Sequence, residues 1–380
     1  MQNNEVKNSH CPIIHGGLSI DIQDKQKVFA HHCCLRTDSF EVDINSDIWT
    51  NKKFIPLRNT NLNNKWDVGC WTCQGNELSG LSSFRSGQLS RFGIKTNLSG
   101  PQFLTLKFDN SCNLACRTCG PNYSTFWQKH IKEHKMSIDG SIPYQLSPSG
   151  SEDMIKILKK IDLSNLEIVI FVGGETLMGD AYWKVADAIA KLVPNAKEKV
   201  ILSFQTNGTH PIKEKYFKII EKFQTIKLSI SLDGVGDRFN YLRWPADWHR
   251  VVENMNVLKT TLPANAWFYI EETISIFNLY YQSELADWAK NNFAANKLGY
   301  SIDHNRHVAY GIFGLQNLTQ EYIDAISNTD SINLINADWQ ENPTNIRKMI
   351  NEITKFDNVR HQEWRKIFPE VAEFYSRYLR

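Results

Sequence analysis

Nothing in this chain is apolar for long enough to cross a bilayer, since no run reaches the roughly 18–20 residues that a span requires. The first ten residues, Met1 to His10, are polar and lack an apolar h-region, so no secretory signal is expected. An excess of one charge is also missing. Lys and Arg total 43 against 41 Asp and Glu, a net charge of +2. Without a basic run, a protein that coats nucleic acid or lies on a membrane surface is disfavoured. A zinc-stapled nucleic-acid binder is disfavoured on the same ground. Internal repeats and low-complexity linkers are absent. A cytosolic (cytoplasmic) location follows as the expectation. In that compartment thiols stay reduced, so clustered cysteines lean towards metal binding or catalysis rather than disulfides.

Cysteine is absent from everything after residue 119. All eight lie between Cys11 and Cys119, whereas structural cysteines would scatter. Any metal chemistry is therefore written in the first third of the chain. At 380 residues the chain has room for two domains and a small appendage.

From about residue 100 onward, strand and helix patterns alternate. Gln102–Phe108, Glu167–Phe171, Val200–Gln205, Ile226–Ser231 and Trp267–Ile276 read as strands, with a sixth at Gly299–Asp303 or Val308–Phe313. Helices are expected at Asn122–His134, near Asp180–Leu192, at Ile212–Lys222, Trp248–Lys259 and Tyr281–Asn291. Six such units predict an α/β fold, a partial (β/α)6 TIM-like barrel of parallel strands. Residues 1–99 differ. They offer short strands (Leu18–Ile22, Lys27–Ala30), many turn residues and five cysteines, which suggests a small cysteine-rich N-terminal domain stapled by metal. The barrel is expected over 100–314. A helical C-terminal tail over 315–380 carries helix-period apolar residues at Asn345–Phe356 and Pro369–Leu379, with Pro369 suited to a first turn.

In parallel sheets the reactive loops follow the C-terminal strand ends. Four polar motifs stand in those places. Strand one is followed by Cys112-x-x-x-Cys116-x-x-Cys119 and strand two by Gly173-Gly174-Glu175-Thr176. Strand three is followed by Thr206-Asn207-Gly208, and strand four runs into Ser231-Leu232-Asp233-Gly234. Cubane iron–sulfur clusters normally take four thiolates. Three on one loop can cap three irons and leave the fourth open for a ligand, as catalytic metal sites do. On spacing alone, a zinc site that borrows another cysteine or a redox thiol motif would also serve.

The segment Cys112-Asn113-Leu114-Ala115-Cys116-Arg117-Thr118-Cys119-Gly120-Pro121 resembles the signature of the radical S-adenosylmethionine (SAM) superfamily. That resemblance implies a [4Fe–4S] cluster held by Cys112, Cys116 and Cys119, with SAM chelating the open iron. It implies reductive cleavage of SAM to a 5′-deoxyadenosyl radical, which takes a hydrogen atom from the substrate. Thr118 departs from the family, where a bulkier residue is common. Gly173-Gly174-Glu175-Thr176 is similar to the family's Gly-Gly-Glu-Pro, with Thr176 in place of proline. By the same resemblance Gly173, Gly174 and Glu175 would receive the methionyl ammonium. Asn207 and Ser231 would meet the ribose or carboxylate, and Arg243, with Arg238 second, would pair with the SAM carboxylate. Ile274–Phe277 would line the adenine or belong to the core.

Cys70-Trp71-Thr72-Cys73 is a second metal-type pair, with Cys11 and the adjacent Cys33-Cys34 supplying more thiols. Cys11-Pro12, His32-Cys33-Cys34 and Cys70-x-x-Cys73 followed by Glu77, Gly80, Ser83 and Arg85 resemble a Twitch/SPASM-like auxiliary-cluster domain, here placed before the barrel. Asp357, Arg360, Trp364 and Phe368-Pro369 extend the resemblance towards the C-terminus. It implies a second, auxiliary [4Fe–4S] cluster on Cys11, Cys34, Cys70 and Cys73, with zinc as the alternative and Cys33 as a spare thiol. His10, His15, His31, His32, His304, His307 and His361 are expected in packing or surface roles. Radical SAM enzymes with auxiliary clusters often modify peptides, so a peptide or protein side chain is the leading substrate and a small metabolite the alternative. The electron donor would be of the flavodoxin or ferredoxin type. An iron–sulfur electron carrier with a non-catalytic SAM site is the non-enzymatic alternative, and Glu175 argues against it.

Overall fold

The computed structural model describes residues 9–23, 27–36, 38–78, 82–136, 150–293, 306–309, 311–335 and 339–379. Gly80, Gly299–Asp303 and His304 lie outside the described residues, as does the side chain of His307.

Among the described residues nine strands build one sheet. They are β1 (Gly17–Ile22), β2 (Val28–His31), β3 (Phe40–Val42), β4 (Phe103–Lys107), β5 (Ile168–Phe171), β6 (Ile201–Thr206), β7 (Thr225–Ser231), β8 (Ala266–Ile274) and β9 (Arg306–Val308). Their spatial order is β3-β2-β1-β4-β5-β6-β7-β8-β9. Strands β4 to β9 pair in parallel, each beside the one before it. This is the six-strand α/β partial barrel expected from the alternating pattern. Among the described strands β3 and β9 remain edges.

Alternation within each strand sorts the two faces. Leu104 and Leu106 of β4, Val169 and Phe171 of β5, Leu202 and Phe204 of β6, and Ile226, Leu228 and Ile230 of β7 share one core with the helices Ser151–Leu158 and Ala181–Leu192. Burying each such side chain stabilises the fold by about 1.5–3 kcal/mol. The alternate residues, among them Lys107, Gln205, Ser229, Ser231 and Glu271, turn to the opposite, inner face. That face is polar towards the strands' C-terminal ends, whereas Phe103, Ile168 and Ile201 make its opposite end apolar.

The N-terminal strands are not a sheet of their own. β1 pairs in parallel with β4, with Leu18 opposite Leu104. β2 pairs antiparallel with β1, and β3 antiparallel with β2. Leu18, Ile20, Val28, Ala30, Trp49 and Phe54 join the barrel's main core. A short half-buried strand pattern tells which side is apolar but not which strand will be its neighbour.

Helix bounds agree with expectation at Thr125–His134, Ala181–Leu192, Trp248–Thr261, Gln282–Phe293 and Pro343–Arg360. Two expected helices are cut short. The one placed at Ile212–Lys222 is reduced to a 3-10 turn, Glu214–Tyr216, and four α-helical residues, Phe217–Ile220. Asn265 Nδ2 donates to the carbonyls of Ile220 and Phe223 at 3.0 and 2.9 Å, which ends the helix there. The one starting at Pro369 stops at Phe374, whose carbonyl accepts from Thr319 Oγ1 at 3.0 Å. The helix Ser151–Leu158 was not anticipated. It is short, and its buried Met154, Ile157 and Leu158 give only two turns of periodicity.

The C-terminal helices form a second core with Trp127, Tyr241, Leu242, Ile274, Ile276 and Phe277. A third, small cluster joins Cys11, Ile13, Ile14, Cys33, Cys70 and Phe84 to Phe103, Ile168 and Ile201. Those last three are the first residues of β4, β5 and β6. The N-terminal thiols therefore gather under the strands' N-terminal ends.

Candidate functional site

The loop after β4 is held from two sides. On one, Cys112 N donates to Thr125 Oγ1 at 3.1 Å, Ser124 Oγ to the Leu114 carbonyl at 2.5 Å, and Trp127 Nε1 to the Cys116 carbonyl at 3.0 Å. On the other, Ala115 N donates to Trp244 O at 2.8 Å and Arg117 N to Leu242 O at 2.7 Å. So fixed, Cys112, Cys116 and Cys119 lie within electrostatic reach of one another. Burial pushes the Cys112 thiol up to about 12, and burial also pushes Cys116 up. Such thiols are neutral at pH 7 unless a metal cation takes them as thiolates. Among the described residues no group of three or more His, Cys, Asp or Glu side chains is arranged around a single metal ion. A cubane spreads its ligands over separate corners. Three convergent thiols on one loop fit a four-iron cubane with one corner left for a non-protein ligand.

The Gly173-Gly174-Glu175 segment follows β5 and locks onto the start of that loop. Gly174 N donates to Asp109 O at 3.1 Å and Glu175 N to Ser111 O at 2.7 Å. Gly173 has φ 145, and a Cβ there would meet Asp109 O and Tyr182 Oη at 2.3 Å. At Gly174 a Cβ would lie 2.2 Å from Ser111 O. Both glycines are thus required by close backbone approach.

Glu175 is buried, and burial raises its carboxyl pKa. Its carboxylate accepts from Thr206 Oγ1 and Asn207 N, each at 2.6 Å, and from Leu177 N at 3.0 Å. A carboxylate has about four acceptor sites, so room for one further donor remains. Asn207 Nδ2 donates to Asn113 Oδ1 at 3.0 Å and approaches Cys112 Sγ at 3.9 Å. Ser231, half-buried, closes β7 on the same rim.

Arg243 is buried beside Cys116, whose thiol it favours in the ionised form. Its Nη2 donates to Asp233 Oδ1 at 2.9 Å, which also accepts from Thr273 N at 2.9 Å. Arg243 Nε and Asp233 Oδ2 have no partner among the described residues. Arg238 is engaged elsewhere. It pairs with Glu284 at 2.8 Å and lies 3.8 Å over the Tyr281 ring. Ile274, Ile276 and Phe277 are core residues.

Several residues of the site received no bonding role from sequence. Thr176 Oγ1 donates to Gln205 O at 2.6 Å, tying two rim loops together. Asn110 is buried with neither side-chain polar atom partnered among the described residues. Asp233 and Thr206 position Arg243 and Glu175. The available signal was their place directly after strands.

At the other end of the strands, Cys11, Cys33 and Cys70 pack together, with Cys73 within electrostatic reach of Cys11. Cys34, the expected ligand of the adjacent pair, is exposed, whereas Cys33 faces the cluster and its Sγ accepts from Leu35 N at 3.5 Å. Arg36 Nη1 donates to Cys70 Sγ at 3.3 Å and is braced by Asp67 at 2.8 Å. Arg85, paired with Glu77, donates to His10 O at 2.6 Å. His10 and His15 both hydrogen-bond Asn61, His31 bonds the Cys33 carbonyl, His32 packs on Phe54, and His361 follows the helix Pro343–Arg360 as its cap.

The model of the Radical SAM superfamily matches residues 106–273. The chain carries a radical SAM domain. The three-cysteine loop, the Gly-Gly-Glu turn, Asn207, Ser231 and Arg243 all fall inside the matched span, and the N-terminal thiols fall outside it. A match to this family implies a [4Fe–4S] cluster and SAM, for which Cys112, Cys116 and Cys119 would provide the donor set. No curated protein matches the chain. Among solved structures, native anSMEcpe with bound AdoMet is 18% identical, covering 67% of this chain and 60% of its own, with a TM-score of 0.40. Streptococcus suis SuiB bound to precursor peptide SuiA is 14% identical, covering 87% of this chain and 59% of its own, with a TM-score of 0.38. Likenesses this distant establish nothing about activity. Among the described residues no helix is long and apolar enough to cross a membrane.

Proposed function

We propose that the protein is a radical SAM enzyme whose reaction centre is the rim formed by Cys112, Cys116, Cys119, Glu175, Asn207, Ser231 and Arg243. The observation that carries this reading is the convergence of three thiols, with no fourth cysteine on the loop, beside a buried carboxylate and a buried guanidinium. Cys112, Cys116 and Cys119 would hold the cluster. Gly173, Gly174 and Glu175 would receive the methionyl ammonium through carbonyls and the carboxylate. Arg243, set by Asp233, would face the SAM carboxylate, and Asn207 and Ser231 the ribose hydroxyls. Reductive cleavage of SAM in such a site yields methionine and a 5′-deoxyadenosyl radical, which removes a hydrogen atom from the substrate. An electron donor of the flavodoxin or ferredoxin type would serve it. That none of the eight cysteines forms a disulfide supports a reducing, cytoplasmic setting.

In this reading residues 1–99 contribute an auxiliary [4Fe–4S] cluster on Cys11, Cys70, Cys73 and one of the adjacent pair, for which packing favours Cys33 over Cys34. Residues 100–314 are the radical SAM core and 315–380 a helical extension. The substrate would enter the inner face between the two ends of the strands, about 17–20 Å apart for strands of five to six residues. A peptide or protein side chain is the proposed substrate, supported by the resemblance of the N-terminal cysteine pattern to auxiliary-cluster proteins that modify peptides.

The test is anaerobic reconstitution with iron and sulfide, followed by assay of 5′-deoxyadenosine after adding SAM and dithionite. About eight irons with 5′-deoxyadenosine formed is the expected result. A loaded protein that yields none would overturn the enzymatic reading. Peptides encoded beside the gene, added to the same assay, should raise the yield and gain a mass change. Failure with peptides but turnover with a small metabolite would overturn the substrate assignment alone.

A further inference from the structure

Where the cysteine loop meets the helix Pro343–Arg360, two buried arginines share one carboxylate. Arg117, adjacent to Cys116, donates from Nη2 to Asp357 Oδ1 at 2.5 Å and to Gln362 Oε1 at 2.9 Å. Its guanidinium lies 4.1 Å from the Tyr241 ring centre. Asp357 also accepts from Tyr241 Oη at 2.8 Å and from Trp364 N at 2.7 Å. Arg360, one turn further on, stacks among Trp244, Trp127 and Phe356 at 4.7, 4.8 and 5.1 Å, and its Nε meets His130 Nε2 at 3.3 Å. Nη1 and Nη2 of Arg360, and Nε and Nη1 of Arg117, have no hydrogen-bond partner among the described residues.

The charges do not balance. Besides burial, the strongest influences on Arg360 come from Arg117, Cys116, Tyr241 and Asp357, and the one carboxylate among them is already paired with Arg117. Burying an uncompensated cation is costly. Aromatic faces recover only part of that cost. Burial pushes Arg360 down to about 9, which still leaves it charged at neutral pH. The anion that would complete the set is close by. Cys116 acts electrostatically on Arg360, and Trp127 stacks on Arg360 while donating to the Cys116 carbonyl. Metal-bound thiolates would supply the missing negative charge.

We propose that Arg117 and Arg360 form a buried cationic backing for the cluster held by Cys112, Cys116 and Cys119, and that their surplus positive charge raises its reduction potential. Asp357 acts through Arg117 as a positioning residue. This rests on the cluster reading above. Reduction adds negative charge to the cluster, so a fixed cation nearby favours the reduced state, net charge being one of the determinants of cluster potential. The four separated residues Asp357, Arg360, Trp364 and Phe368 thereby acquire a common purpose. Trp364 N holds Asp357, and Phe368 packs against Tyr241 at 5.3 Å.

The test is a redox titration of the reconstituted protein, followed by the electron paramagnetic resonance signal of the reduced cluster, with iron content measured alongside. To isolate this cluster, all proteins carry the Cys70→Ala change. Arg360→Gln should lower the reduced-to-oxidised ratio at the parent midpoint about tenfold, equivalent to about 59 mV for one electron. Arg360→Lys, which keeps the charge, should restore the parent potential. Asp357→Asn should move the potential the opposite way, upward. A merely structural role would lower iron content in all three without opposed shifts. Equal iron with potentials that do not move, or move in the same direction, would overturn the proposal. If Asp357→Asn does not fold, the Arg360→Gln and Arg360→Lys pair decides alone. A parent protein that takes up no cluster would overturn the cluster reading instead.

Discussion

Asn207 Nδ2 donates to Asn113 Oδ1 at 3.0 Å, joining the end of β6 to the cysteine loop that follows β4. Asn113 Nδ2 in turn donates to Thr209 Oγ1 at 2.9 Å. The two amides hold the loop bearing Cys112 against the rim. Asn113→Ala would leave the buried Asn207 Nδ2 without its carbonyl. It should lower stability by about 1–3 kcal/mol, the cost of an unsatisfied buried group, read as a shift in the urea midpoint. An unchanged midpoint would mean that the amide pair contributes nothing.

Gly174→Ala should block assembly of the site without unfolding the barrel. The added Cβ would lie 2.2 Å from Ser111 O and 2.6 Å from the Asn110 carbonyl carbon, both backbone atoms that cannot swing aside. The Gly-Gly-Glu turn would then be pushed off the cysteine loop. Circular dichroism should remain close to that of the parent, while iron bound at the three-cysteine site falls to a small fraction. Full iron loading in this variant would refute the locking role of the turn.

Cys70→Ala or Cys73→Ala should remove one cluster's iron, about four of eight atoms, and leave cleavage of SAM intact. The physical basis is distance: these thiols sit under the N-terminal strand ends, and the rim proposed to hold SAM lies at the C-terminal ends. Iron and zinc counts by mass spectrometry check it. Loss of zinc with iron unchanged would assign the N-terminal site to zinc.

Acid should destabilise the protein through its buried histidines. Burial, reinforced by Arg360, lowers His130 from its ordinary 6.5 to about 4. The unfolded chain therefore takes up the proton first, so stability is retained above pH 6.5 and lost as the pH falls towards 4. His15, His31 and His32 are also held low, chiefly by burial, and share the slope. His130→Gln should make the fall between pH 6.5 and 4 shallower in urea titrations. An identical slope would show that His130 does not titrate in this range.

Much of the site was legible because it is local. Cys112, Cys116 and Cys119 are separated by four and three residues on one loop, and covalent geometry alone keeps them near one another. The strands before Cys112, Gly173 and Asn207 were readable from alternation, and a parallel sheet sends all their C-terminal ends to one rim. Partners of the individual side chains were not legible. The sequence singles out Glu175 but not the bonds from Thr206 Oγ1, Asn207 N and Leu177 N that occupy most of its carboxylate. It offers two arginines, and only folding shows that Arg238 is taken by Glu284 while Arg243 stands with Asp233 beside Cys116.

By itself, then, the sequence determined the parallel α/β barrel, the cysteine loop and the order of the rim motifs, because these follow from periodicity and short spacing. Tertiary structure decided that β1 would lie against β4, that Cys33 rather than Cys34 would face Cys11 and Cys70, and that Asp357 would meet Arg117 across 240 residues of chain. Each of these is a choice among chemically similar partners. It is settled by which apolar faces close on one another and by which buried charges must be shared, and neither is recorded in any local stretch of residues.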